Sequence, residues 1–291
     1  MNSKFLIYIL LLGVSNCLFS QSLLDKLENE HKEIENYTIS TFKGTRLSIS
    51  HSVETRKKNT LEVSLMTRYW NREDSDGKAL IPDLFCSRIG LDYGISDRLT
   101  VGIGYGNPNR IIDNYFKYRL IRQTDDNKTP LSLTLLQTAS YRTHRLNDVV
   151  ARGADFGQKF AFTTQALIAR KFTRNFSFQF TPTYVQRTSS RSDLDDDHHF
   201  AFGFGARQKI SNHVSLVSEY YYVINPLNSV KTFSPFAFGV NWEVSKLLLQ
   251  FKMTNNQIFT EDTFITQTFK PFNFSDGNFF FGFQATYHFQ L

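Results

Sequence analysis

From residue 60 onward, apolar and polar residues alternate with a period of two in one segment after another. "TLEVSLMTRYW" sets Leu61, Val63 and Leu65 against Glu62, Ser64 and Arg68. "SRIGLDYGI" sets Ile89, Leu91, Tyr93 and Ile95 against Arg88, Gly90, Asp92 and Gly94. The alternation returns in "LTVGIGYG", "YFKYRLIR", "PLSLTLLQTASY", "KFAFTTQALIARKF", "FSFQFTPTYVQR", "HFAFGFGARQKI", "VSLVSEYYYV", "SPFAFGVNWE", "KLLLQFKMT" and "GNFFFGFQATYHFQL". A period of two turns successive side chains to opposite faces of a strand, so the pattern predicts about twelve strands of about nine to thirteen residues.

The connections alternate as well. "GISDRLTV", "KFTRNFSF", "KISNHVSL" and "EVSKLLLQ" each carry two or three polar residues between apolar ones and read as tight hairpins. "RQTDDNKTP" is a fifth, longer turn. Between them lie six mostly longer connections, 71–85, 107–113, 142–158, 188–197, 225–233 and 255–277. In an up-and-down barrel, successive connections fall on opposite rims, and spanning barrels have short periplasmic turns and long external loops. The rival, a secreted β-sandwich, uses strands of roughly 5–6 residues, whereas spanning strands need roughly 9–11. The expected fold is therefore all-β: an antiparallel up-and-down transmembrane β-barrel over residues 59–291, with an even strand number and both ends on the short-turn rim.

The stretch ahead of the barrel reads differently. "MNSKFLIYILLLGVSNCLFSQS" places Lys4 before an apolar run too short to span a bilayer, which predicts a cleaved signal peptide over residues 1–20. Cys17 in "VSNC" lies in a poor match to a lipoprotein acylation box, and its departure with the signal leaves Cys86 without a disulfide partner. Residues 22–36, "SLLDKLENEHKEIEN", carry a thin apolar stripe that predicts a short helix. Residues 21–58 together are expected to form a periplasmic segment or a plug.

Composition sharpens this picture. The chain holds 29 Phe and 13 Tyr with 21% charged residues, yet its mean hydropathy is −0.32, as expected when apolar side chains are sorted onto one face. A net charge of +6 fits an anionic partner. The bases are scattered along the chain, which argues against nucleic acid and leaves outer-membrane lipid or a small anionic solute.

Parity then assigns an interior face. It collects the bases Arg68, Arg88, Lys117, Arg119, Lys171, Arg187, Arg207 and Lys252, and the acids Glu62, Asp92, Glu219 and Glu243. Charges belong there because a Lys or Arg facing lipid at mid-depth costs ~2–4 kcal/mol. Bases exceed acids two to one, so the lumen is expected to be net positive; the opposing reading pairs these charges into a network that fills a narrow barrel. Gly90, Gly94, Gly102, Gly104, Gly203, Gly205, Gly239 and Gly282 share this face and leave room for long neighbours. "GIGYG" and "GFG" lie within strands with no helix following, which excludes a phosphate-loop reading.

No cofactor is expected. The acidic loop "RSDLDDDHHF" offers Asp195, Asp197, His198 and His199 as a weak metal-ligand set, but the spacing matches no established calcium loop, and a solvated acidic tip is the plainer reading. No histidine sits in a Ser-containing strand motif like that of the outer-membrane phospholipases, and no zinc-protease motif occurs, so the chain is expected not to be an enzyme.

Several pieces, "FKGTRLSISHSVET", "KKNTLEVSLMTRY", "GLDYGISDRLTVGIG", "FKYRLIRQ", "LIARKF" and "FITQTFKPFNFSDGNFFFGFQATYHF", taken in order, cover nearly the whole mature chain. Together they resemble a family of Gram-negative outer-membrane β-barrels known only as a domain of unknown function. Where that family places His–Arg–Phe near the end of the first strand, this chain has Thr67, Arg68 and Tyr69. The resemblance implies an outer-membrane barrel and supplies no activity.

Two functions follow as expectations: a narrow, basic-lumened channel for small anionic solutes, or a closed structural or adhesion barrel; a lipid-modifying enzyme ranks third. The last strand is expected to close against Leu61–Tyr69, with its odd residues facing lipid. Its ending, Tyr287, Phe289 and Leu291, resembles the signal read by barrel-assembly machinery, although it lacks a glycine at the usual spacing.

Overall fold

The computed structural model describes residues 36–71, 82–107, 110–143, 156–188, 192, 194–273 and 279–291. The signal peptide expected over 1–20 and all but the last residue of the helix expected over 22–36 lie outside them. Twelve antiparallel strands close into one barrel in simple up-and-down order. They are β1 Thr60–Trp70, β2 Leu84–Gly94, β3 Leu99–Gly106, β4 Ile111–Ile121, β5 Ser132–Arg142 and β6 Phe160–Lys171. The second half comprises β7 Phe176–Arg187, β8 His198–Lys209, β9 Val214–Val223, β10 Phe236–Val244, β11 Leu247–Thr254 and β12 Phe280–Gln290. One short helix, α1 (Glu261–Thr266), lies in the connection between β11 and β12.

The alternation dictates these strands because each has two environments. On β4, Ile112, Phe116 and Tyr118 are exposed, whereas Asp113, Tyr115, Lys117 and Arg119 are buried. The sheet has no free edge: β1 pairs β12 from Thr60↔Gln290 to Tyr69↔Phe281, and the Leu291 amide extends the ladder to Asn59 O at 2.8 Å. Closure of this kind removes the unpaired backbone groups that a bilayer cannot solvate. The hairpin between β10 and β11 turns on two residues, and Ser245 there takes a left-handed φ of 57°, the geometry that two-residue hairpins demand.

Residues 38–58 do not join the sheet. They enter at the short-turn rim, where Thr38 N donates to Gln123 O at 2.9 Å, run into the barrel, and return to the same rim at Thr60. The deepest part is a tight reversal: Arg46 bridges His51, Leu47 N donates to Ser50 O and Ser52 N donates to Thr45 O, both at 2.9 Å. This plug brings apolar side chains into a lumen that parity alone would call polar. Phe42, Leu47 and Val53 pack on Tyr115, Leu136 and Leu167. Ile49 packs with Val185, Tyr221, Phe264 and Ile265. The barrel interior is thus a core, with inward apolar residues where the plug's own apolar residues meet the wall.

Candidate functional site

Ten of the twelve charges singled out by parity are buried against this filled lumen, Lys171 and Glu243 lie half-buried at the rim, and each has a partner. Lys117 Nζ donates to the plug carbonyls of Thr45, Ser52 and Glu54 at 2.8, 3.0 and 3.1 Å. Lys252 Nζ donates to Ser48 O and to Gln284 Oε1. Lys171 Nζ reaches Ile39 O at 2.8 Å, and Arg207 reaches Ser40 O at 3.4 Å and Ser215 Oγ at 3.2 Å. Arg119 pairs with Glu54 of the plug at 2.9 Å.

Two arginines hold the opposite end. Arg68 Nη1 donates to Asn256 O at 2.8 Å and to Ile258 O, and its guanidinium lies 4.6 Å from the Phe259 ring centroid. Arg187 Nη1 donates to Thr266 Oγ1 of α1 at 2.8 Å. Arg88 instead pairs within the wall, its Nε 2.8 Å from Asp113 Oδ1. A Cβ on Gly104 would lie 2.1 Å from Arg88 Nη2, so the glycine makes the space that this side chain fills.

The acids complete the grip. Glu219 accepts the Ser48 and Ile49 amides at 2.6 and 2.5 Å, and also binds the Ser50 amide and hydroxyl. Successive backbone N–H groups at a tight turn form an anion-binding concavity, and here a carboxylate of β9 occupies it. Glu62 and Asp92 both accept from Thr45 Oγ1, at 2.7 and 3.2 Å, and Glu62 also pairs with Arg56. Glu243 pairs with Lys43 at 2.8 Å.

Sequence reasoning missed the residues that meet these groups. At mid-lumen, Arg46 of the plug lies 3.1 Å from Glu261 of α1, and His51 Nε2 lies 3.5 Å from the same carboxylate. Both ionic side chains are almost wholly enclosed. The plug from one rim and the in-folded connection from the other therefore touch through a buried ion pair. Asp262, the next residue of α1, accepts from Ser140 Oγ at 2.9 Å. Thr260 followed by Glu261 and Asp262 is a helix-start signal that the sequence did carry, but six residues are too few to show a helical period.

The candidate metal ligands do not converge. Asp195 accepts from the Asn228 and Ser229 amides at 2.8 Å each and from Ser229 Oγ at 2.6 Å. Partial burial pushes its carboxyl upward, but these hydrogen bonds outweigh that and hold it below the ordinary aspartate value. His198 Nδ1 meets Tyr184 Oη at 2.6 Å, and His199 Nδ1 meets Asn225 O at 2.8 Å. Among the described residues no three His, Cys, Asp or Glu side chains are grouped to hold a metal ion.

A barrel with an apolar outer belt and a polar, filled interior matches one family model: a "Membrane bound beta barrel domain (DUF5777)" over residues 42–289. The chain belongs to that family. The match begins inside the plug, so the family's own unit includes the segment that fills the lumen. No curated protein matches the chain. Similar solved structures include an outer membrane channel from Pseudomonas putida F1, entitled COG4313, with 13% identity and a TM-score of 0.48 over 85% of this chain and 100% of that one. The KdgM porin has 4% identity and a TM-score of 0.47 over 79% and 99%. Salmonella typhi OmpF, in a complex with daunomycin, has 8% identity and a TM-score of 0.38 over 79% and 97%. These distant likenesses carry nothing about solute or mechanism.

Proposed function

We propose that this chain is an outer-membrane barrel kept closed by its own residues 38–58, and that it passes small anionic solutes when this plug is displaced. One observation carries the reading. Lys117, Lys171, Arg207 and Lys252 hold the plug through its neutral backbone carbonyls, so their charge is not cancelled by the plug's charge. Displacing the plug frees Glu62, Asp92, Glu219 and Glu243 as well, but the eight inward bases of the strands exceed those four acids and Asp113, and rings of Arg and Lys favour anions.

Planar-bilayer recording tests this. The full chain is expected to be nearly silent. Glu219→Gln, which replaces the carboxylate under three plug amides, is expected to raise open probability by about tenfold or more, since hydrogen bonds to a charged group are worth ~1.5–3 kcal/mol. The resulting current is expected to be anion-selective. Cation-selective current overturns the solute class. Silence in both Glu219→Gln and Glu261→Gln overturns gating and favours a permanently closed structural barrel, the reading that the buried Arg46–Glu261 pair supports.

A further inference from the structure

The short-turn rim carries a cavity of about 610 Å³, of a size ordinarily used to enclose a small ligand. Six bases line it, Lys43, Arg56, Lys57, Arg119, Arg122 and Lys246, against two acids, Glu54 and Asp97. Lys43, Arg56 and Arg119 pair with Glu243, Glu62 and Glu54, and Arg122 has a partner too. With Arg122 left out and the two acids behind the wall, Glu62 and Glu243, added, five bases stand against four acids among the described residues, and the bases left outside the three pairs are Lys57 and Lys246 against Asp97. Lys57 and Lys246 are exposed at the mouth. The remaining wall offers neutral polar groups, including Thr60, His288 and Gln290.

We infer that this cavity binds a small multivalent oxyanion, a soluble molecule carrying two or more phosphate or carboxylate groups. Flexible ammonium groups at a mouth and guanidinium groups deeper in a wall are the side chains that recognise such oxygens. The cavity lies inside the ring of strands, since Thr60 and Arg119 are inward-facing residues. Lipid packed on the outer belt therefore cannot reach it, and the ligand is soluble. Eight of the fifteen lining residues belong to the plug, from Ile39 to Lys57, so a bound anion touches plug and wall together and ties one to the other. That consequence rests on the plugged-barrel reading; the binding itself does not.

Isothermal titration of the full-length barrel in detergent tests the site with three probes: pyrophosphate, citrate and, at matched ionic strength, sodium chloride. Saturable binding is expected for pyrophosphate, citrate or both, and none for chloride. Binding by one alone identifies its oxyanion group as the preferred one. The double substitution Lys57→Gln with Lys246→Gln is expected to weaken binding by at least about tenfold, the loss anticipated for contacts to charged groups. Asp97→Asn, which removes an acid from the same wall, is expected to tighten it. Both variants are expected to keep the heat-modifiable gel migration of a folded barrel. No saturable binding by pyrophosphate or citrate overturns the inference, as does an affinity that the double substitution leaves unchanged. No current is measured here, so a silent bilayer leaves the site standing, and an empty site leaves the plugged barrel standing.

Discussion

A Cβ added at Gly205 would lie 2.6 Å from Leu47 Cδ1, whereas one at Gly106 would meet nothing closer than 3.6 Å. Both glycines face inward, but only the first makes room for the plug. Gly205→Val is therefore expected to push Leu47 off its seat at a cost of ~1–3 kcal/mol, the usual penalty for overpacking a filled interior. The folded band in heat-modifiable migration is expected to disappear at a lower temperature than in wild type, and bilayer openings to become more frequent. Gly106→Ala is expected to change neither. Parity made Glu219 and Lys252 legible as inward charges, because a charge facing lipid is costly away from the interfaces. It could not name their partners. Ser48 and Ile49 lie in "LSIS", whose alternation is that of any strand, and nothing local in the sequence says that its amides meet a carboxylate from β9.

At the scale of elements, the strands and short turns were readable because each strand's two faces see different surroundings. The element that escaped, α1, is buried throughout and so has no contrast of faces to display. The external connections hold a further tie. Asp195 from the β7–β8 connection binds the Asn228 and Ser229 amides of the β9–β10 connection. Its carboxyl titrates below the ordinary aspartate value, so the tie is complete above that value and is lost only as pH falls through the lowered one. Hydrogen exchange at the Asn228 and Ser229 amides, corrected for intrinsic rate, is thus expected to be equally protected at pH 7 and pH 5. Asp195→Ala is expected to speed it by about tenfold or more at both, because the lost acceptor is charged. The closing strand carries the other element-scale prediction. Tyr287 and Phe289 meet edge to face on the outer side with ring centroids 4.6 Å apart, and the strand's final residues pair with the start of β1. The proposed assembly role for Tyr287, Phe289 and Leu291 predicts that Phe289→Ser with Leu291→Ser lowers the amount of barrel inserted in cells. Anion selectivity of the protein that does insert is expected to be unchanged. Normal insertion would remove that role.

For the whole molecule, parity could not decide whether the inward charges line water or a packed interior. The deciding residues are Leu136, Leu167, Val185 and Tyr221, inward-facing apolar side chains that each have a polar residue (Thr134 and Thr138, Gln165, Thr183 and Arg187, Glu219) at one or both neighbouring inward positions. Such residues in a lumen need an apolar occupant, and Phe42, Leu47, Ile49 and Val53 supply it. The plug also lies far from its partners along the chain. Lys117 follows Thr45 by 72 residues, Glu219 follows Ser48 by 171, Lys252 follows Ser48 by 204, and Glu261 follows Arg46 by 215. A chain delivered N-terminus first carries residues 38–58 through most of its synthesis before β9 and β11 exist to receive them. The plug is made before every strand that seats it. Until then its "LSIS" run is a short alternating segment with free backbone groups, able to pair with an unfinished sheet as a misplaced strand, and the order in which strands are laid down decides whether it ends inside the ring or in its wall.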